Sequence, residues 1–156
     1  VSDASQREDE LERSYRASLI LHVVFLAAPL VYVGVIVVLA DREMLPRYRE
    51  GETLRWLLPA VLAVGSVGLL VSRELFARRG AAASVRRGQS VAESLAAAHV
   101  MRNAFNETIA VFGLLVYMLT ADVWQAVPFI AVGFLALVRG RPNRTEWRRA
   151  VTKGRR

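Results

Sequence analysis

The sequence predicts an all-α integral membrane protein, a bundle of four transmembrane helices with both termini in the cytoplasm. Three observations lead to this prediction. The chain of 156 residues is 54% hydrophobic with a mean hydropathy of +0.31, which is too apolar for an ordinary soluble domain. Its apolar residues are concentrated in four stretches, and its lysines and arginines are concentrated in alternate segments between them.

The four apolar stretches are the predicted spans of a single membrane domain, residues 1–156. A span needs about 20 largely uncharged residues to cross a hydrocarbon core of roughly 30 Å. The first stretch, 19–40, gives 22 positions whose only ionisable side chain is His22. The later stretches are shorter, but apolar residues or arginines that can reach the headgroups flank them; they cover residues 56–72, 104–120 and 123–138.

The basic residues predict the orientation of the bundle. Segments on one side of the membrane carry 17 lysines and arginines, and those on the other side carry 4. Because cytoplasmic segments are the basic ones, the N-terminal segment 1–18, the central segment and the tail 139–156 are predicted to be cytoplasmic. Trp56, Tyr117 and Trp124 then share the outer interface, as an aromatic belt requires. Topology and anionic lipids account for the positive charge, so we predict no nucleic-acid partner.

Two capping signals define the third and fourth helices. Ser90 and Glu93 form a capping-box pattern, so the third helix is predicted to begin at residue 91 and to run to residue 120. At 1.5 Å per residue it is about 45 Å long and extends into the cytoplasm. Asp122, with Gln125, is predicted to cap the fourth helix after a two-residue connection, which makes helices three and four a tight hairpin.

Basic residues near the cytoplasmic face are the predicted contacts with anionic lipids or partner subunits. The central segment contains two Arg-Arg-Gly sequences and is predicted to be a loop near the headgroups. The tail at 145–153 is predicted to be a short amphipathic helix on the membrane surface. The predicted contact residues are Arg78, Arg79, Arg86, Arg87, Trp147, Arg148 and Arg149.

Small residues within the spans predict close helix packing. Where glycine and alanine recur on one helix face, two backbones can approach closely. The candidate positions are Gly65 with Gly68, Ala110 with Gly113, and Ala131 with Gly133.

An ionisable residue inside a span is the default functional candidate, because burying a charge at membrane depth costs a few kcal/mol. Glu107 is the only acid so placed. One hypothesis is a proton or cation site formed by Glu107 with Asn103, Asn106 and Thr108, since a carboxylate among amides and a hydroxyl can exchange a cation. The interpretation we favour is a structural hydrogen-bonded link between helices, with Asn103 or Arg102 as its partner.

The stretch from Glu107 through Phe112 and Gly113 to Val116 resembles the ion-binding helix of rotary ATPase proteolipids. That resemblance implies that Glu107 takes the place of the ion-carrying carboxylate. The whole chain also resembles small four-span bacterial membrane proteins whose function is not established. The features that carry this second resemblance are an acid at the start of the third span and a basic Arg-Pro segment after the fourth, and it implies the architecture and no activity. We predict a multi-pass protein of the bacterial cytoplasmic (inner) membrane.

The two histidines are candidates for cofactor contacts. His22 lies four residues into the first span and His99 lies in the cytoplasmic part of the third helix, so the two are expected at similar depths. A pair of neutral imidazoles across a bundle can hold a haem b or flank a quinone headgroup. The interpretation we favour is that each is an interfacial hydrogen-bonding residue, so no cofactor is predicted.

These observations predict a protein that is not an enzyme. The chain has no cysteine, which excludes thiol catalysis, thiolate zinc sites and iron–sulfur ligation, and we predict no metal site. No nucleophile, base and orienting acid recur in one place. We therefore predict a non-catalytic subunit that scaffolds or anchors a larger membrane complex, such as an energy-transducing one. Two alternatives remain open, a proton- or cation-conducting proteolipid and a small haem- or quinone-binding electron carrier.

Overall fold

The computed structural model describes residues 2–42 and 52–153, and within these ranges all regular structure is α-helical. Helices α1, α2 and α3 are long and apolar enough to cross a membrane, and α4 is apolar but has only 17 residues. This confirms the all-α prediction and the presence of membrane-length helices. The five helices are α1 (Ser2–Asp41), α2 (Glu52–Arg86), α3 (Val91–Thr120), α4 (Val123–Arg139) and α5 (Arg144–Lys153).

Helix α3 lies at the centre of the bundle. Helices α1, α2 and α4 all pack on it, and α1 also contacts α4, whereas α1 and α2 do not pack substantially on each other. In the most apolar part of α3, 39% of the residues are buried, against 11% in α1 and 6% in α2. Each of the outer helices therefore depends on α3 for most of its contacts.

The predicted bounds of α3 are confirmed. The Glu93 backbone N–H donates to Ser90 Oγ at 3.2 Å, and the Ser90 backbone N–H donates to Glu93 Oε2 at 3.1 Å. This reciprocal cap satisfies two backbone donors at the start of the helix. The helix then continues for 30 residues, as predicted.

The connection between α3 and α4 is the tight turn that the sequence predicts. Ala121 has a φ of 51°, and its N–H donates to the Tyr117 carbonyl at 2.7 Å, so a left-handed residue ends the helix. The Trp124 N–H donates to Asp122 Oδ1 at 3.0 Å, which caps α4. Gln125 takes no part in this cap, since its amide has no hydrogen-bond partner among the described residues.

The central segment is not the loop that we predicted. Helix α2 continues to Arg86, so Arg78, Arg79 and Gly80 are helical. The extension is stable because it keeps packing on α3: Ala77 is fully buried, and Gly80 lies against a methionine side chain of α3. Only the second basic sequence forms a turn, in which Gly88 has a φ of +79°.

The N-terminal part of α1, which begins at Ser2, packs on the chain itself. Leu11 is buried, and the Tyr15 ring packs edge-on against Trp147 of α5 with centroids 5.7 Å apart. The outer loop predicted between the first two spans lies largely outside the described residues.

Small residues allow the closest helix contact, which is between α3 and α4. A Cβ at Gly133 would lie 2.8 Å from the Ala110 nitrogen, and one at Gly113 would lie 2.8 Å from the Ala126 carbonyl oxygen. A Cβ at Gly68 would meet nothing within 4 Å. Ala110, Gly113 and Gly133 therefore contribute to the α3–α4 contact, whereas Ala131 is exposed and Gly68 has open space around it.

Candidate functional site

Polar side chains on α3, between His99 and Glu107, form the candidate site, which we call the α3 polar segment. Successive helical residues point about 100° apart, so nearby polar residues on one helix can face different neighbours. In this protein each polar side chain of the segment bonds to a particular partner.

Glu107 contacts α1. The Tyr32 hydroxyl donates to Glu107 Oε1 at 2.7 Å, and both side chains are half-buried. A hydrogen bond from a neutral phenol to a carboxylate is one of the stronger side-chain contacts. The sequence analysis did not identify Tyr32, although it is the only tyrosine in the stretch 19–40.

Asn106 joins three helices. The Arg73 guanidinium of α2 donates to Asn106 Oδ1 at 2.8 Å, and Asn106 Nδ2 donates to the Ala136 carbonyl of α4 at 3.3 Å. Asn106 is buried, so both ends of its amide are satisfied where water does not reach. Arg73 is a second residue of this site that was not predicted from the sequence, because it directly follows the predicted span.

Arg102 pairs with Glu74 of α2 at 2.8 Å. Both side chains are more than 40% exposed, so the pair contributes little to stability unless lipid shields it from water. Beyond the pair, the Phe76 and Phe105 rings of α2 and α3 stack with centroids 5.5 Å apart.

Asn103 bridges the two histidines. Asn103 Nδ2 lies 3.2 Å from His22 Nδ1 of α1 and 3.1 Å from His99 Nε2, and the imidazole centroids are 5.4 Å apart. All three side chains are buried. The structure thus brings together the two histidines that we predicted at similar depths. Within the described chain, His22 Nε2, Asn103 Oδ1 and the buried hydroxyl of Ser18 have no hydrogen-bond partner.

This geometry differs from a pair of haem ligands. An axial histidine points a ring nitrogen at the iron, and two such histidines need the metal between them. Here the Asn103 amide nitrogen is within hydrogen-bond distance of one nitrogen of each ring, so these nitrogens are directed at an amide.

The four residues of the predicted ion site do not converge on one point. Glu107 and Asn103 contact different residues of α1, and Asn106 contacts α2 and α4. The Thr108 hydroxyl donates to the Ala104 carbonyl of its own helix at 2.8 Å. Across residues 2–42 and 52–153, no group of three His, Cys, Asp or Glu side chains is placed to hold a metal ion.

The predicted lipid-contact residues lie in two settings. Arg78, Arg79, Arg86, Arg87 and Arg149 are exposed. Trp147 is instead buried against α1, and Arg148 NH2 lies 3.4 Å from Glu8 Oε1 of α1.

Glu12 is a second acid through which α1 holds α5. It accepts hydrogen bonds from Arg16 of its own helix at 3.0 Å and from Arg144 of α5 at 2.7 Å. The Arg16 hydrogen bond, together with Arg144, lowers the pKa of Glu12 below its usual value.

The described residues therefore define a class of protein, an all-α chain with three membrane-length helices and a polar segment on its central helix. Comparison with family models, with curated proteins and with solved structures finds no match to this chain.

Proposed function

We propose that the protein is a non-catalytic integral membrane subunit that scaffolds or anchors a larger complex, such as an energy-transducing one. In this proposal α4 is the fourth span, both termini are cytoplasmic, and the membrane is the inner membrane of a bacterium. The charge asymmetry of 17 to 4 supports the orientation. Trp56 and Trp124 support it as well, because both are exposed, as interfacial aromatic residues are.

The observation that carries the proposal is how the α3 polar segment uses its side chains. Glu107, Asn106, Arg102 and Asn103 each bond to a residue of a neighbouring helix. Polar residues used in this way hold helices together. A scaffold needs this internal rigidity and needs no reactive group.

The outer faces of α1 and α2 support the anchoring role. Many of their large apolar side chains are exposed, and Val24, Val31, Val64 and Val71 are 60 to 75% exposed. These faces are available to lipid and to the helices of other subunits. The exposed arginines on α2 support contact with anionic headgroups on the cytoplasmic side.

Affinity purification from the native membrane in mild detergent tests the proposal. We expect the tagged protein to co-purify with a fixed set of membrane subunits at constant stoichiometry, and the remaining subunits to lose assembly when this chain is deleted. Gly68→Leu is an informative variant because it adds bulk to an open helix face without touching the interior. A monodisperse monomer that transports ions alone after reconstitution would contradict the scaffold.

A second candidate function is proton or cation binding at Glu107. It is favoured by one contact: the only hydrogen bond to this carboxylate in the described chain comes from a neutral phenol, while Arg73 and Arg102 bond elsewhere. A membrane-embedded carboxylate without an ion pair can exchange a proton. The resemblance of residues 107–116 to the proteolipid ion-binding helix points the same way.

A further inference from the structure

The buried contact of His22, Asn103 and His99 constrains which ring nitrogens carry hydrogen. In the structure the amide nitrogen Nδ2 faces one nitrogen of each ring, at 3.2 and 3.1 Å. An amide nitrogen carries two hydrogens and accepts none, whereas a neutral imidazole offers one donor and one acceptor nitrogen. In this orientation of the amide, both ring nitrogens that face Asn103 carry lone pairs, and both histidines are neutral.

This requirement assigns opposite tautomers to the two rings. His22 faces the amide with Nδ1, so its hydrogen is on Nε2, and His99 faces the amide with Nε2, so its hydrogen is on Nδ1. The Asn103 oxygen has no hydrogen-bond partner in the described chain. Turning the amide by 180° would place its oxygen where its nitrogen is now. The two hydrogen bonds of the nitrogen would be replaced by two hydrogen bonds to the oxygen, and no other hydrogen bond would be lost.

We propose that these three side chains form a binding site for a single proton, with the Asn103 amide as its rotor. A proton from water adds to the ring nitrogen of one histidine that faces Asn103 and makes that ring a cation. The amide turns by half a rotation, so that its oxygen accepts from the new N–H. The other ring releases the hydrogen on its far nitrogen to water and takes a proton from water at its facing nitrogen, which then donates to the same oxygen. Over the whole step one proton is gained and the charge rises by one.

The surroundings limit the site to one proton. The ring centroids are 5.4 Å apart in a buried location, so a second proton would place two cations side by side with little solvent. The charged groups that act on the pair are also positive: Arg141, after α4, acts on His22, and Arg102 of α3 acts on His99. Arg102 is itself hydrogen-bonded to Glu74 of α2.

Nitrogen NMR of the full chain tests this site, because the chain contains only two histidines. With 15N-labelled histidine in detergent at neutral pH, we expect two neutral rings of opposite tautomer. On acidification we expect both rings to change with one shared midpoint, and one imidazolium to form per chain. Two rings of the same tautomer at neutral pH, or two unrelated midpoints, would overturn the proposal.

Variants of Asn103 provide an independent check. Asn103→Asp offers two acceptor oxygens, so the facing nitrogens should carry hydrogen already at neutral pH. Asn103→Leu removes the bridge, so the rings should change at separate midpoints. Ser18→Ala is the matched control, because Ser18 is equally buried one turn from His22 and has no hydrogen-bond partner. Its spectrum should match the native one, and an Asn103→Asp spectrum identical to the native one would contradict the rotor.

Discussion

At the scale of single residues, the α3 polar segment shows how one helix can serve three neighbours. Asn103 and Glu107 are one turn apart and both reach α1, while Asn106 lies between them in sequence and reaches α2 and α4. Helical geometry permits this division, since residues three and four apart share a face only approximately. Each polar side chain therefore needs its own test.

Glu107 and Tyr32 should behave as a pair. If their contact is structural, Glu107→Gln should keep the hydrogen bond and fold nearly normally, whereas Tyr32→Phe should lose a bond to a charged group, about 1.5 to 3 kcal/mol. Glu107→Leu should cost a similar amount, because the Tyr32 hydroxyl loses its acceptor. Denaturant unfolding in detergent measures these differences, with Thr108→Val as a control whose bond lies within its own helix.

The same variants separate the two proposed functions. A structural Glu107 predicts that Glu107→Gln assembles and works. A proton-carrying Glu107 predicts an assembled but inactive variant, because an amide cannot cycle between protonated and ionised forms. A Glu107→Gln variant that is fully assembled but inactive would favour proton or cation binding at Glu107 over the scaffold function.

At the scale of elements, the α3–α4 contact depends on the absence of a side chain at Gly133. Gly133→Ala should destabilise the protein by about 1 to 3 kcal/mol, because its Cβ would approach backbone atoms of Ala110 and Asn106 that cannot easily move. Gly68→Ala is the matched substitution in a helix with open space, and should be neutral or slightly stabilising. Equal thermal midpoints for the two variants would disprove the tight contact.

The attachment of α5 to α1 should weaken in acid. The pKa of Glu12 is lowered in the folded chain, first by Arg16 and then by Arg144. The stabilisation of the folded chain by ionised Glu12 is therefore complete above the pKa that Glu12 has in the unfolded chain. It is lost as the pH falls through the lowered folded pKa. We expect the Trp147 fluorescence to shift to longer wavelength over that acid range as α5 separates from Tyr15.

The measurement needs Trp147 as the single tryptophan, in a background with Trp56→Phe and Trp124→Phe. Glu12→Gln mimics protonation, so its emission should be shifted at neutral pH and should change less on acidification. Arg149→Gln is a control at an exposed arginine of the same helix. If it shifts the emission as far as Glu12→Gln does, the Glu12 contact does not hold α5.

At the scale of the whole molecule, the proposed orientation is open to direct labelling, because the chain has no cysteine. Single cysteines at Ser84 and Thr152 should be protected from an impermeant thiol reagent in intact cells, and one at Thr53 should react. The physical reason is the excess of arginine on the cytoplasmic side. Reaction of the cysteine at position 84 with the reagent outside the cell would contradict the proposed orientation.

The sequence alone determined the features that depend on local chemistry. The capping box at Ser90 located the start of α3, Asp122 located the start of α4, and uncharged length identified the membrane-length helices. These signals succeed because backbone caps and hydrophobic length act over a few neighbouring residues. The same local reading failed for α2, where two glycine-containing basic sequences suggested a loop and packing on α3 extended the helix to Arg86.

Only the tertiary structure decided which polar residues meet. Glu107 was expected to bond with Asn103 or Arg102 of its own helix, but its partner is Tyr32, 75 positions away. His22 and His99 meet through Asn103, and α3 rather than a ring of equal contacts holds the bundle together. Such pairings depend on the rotation of each helix about its axis. That rotation is set by the fit of small residues such as Gly113 and Gly133 against the opposing backbone. Their presence in a helix indicates a packing face, but it does not show which helix lies against that face.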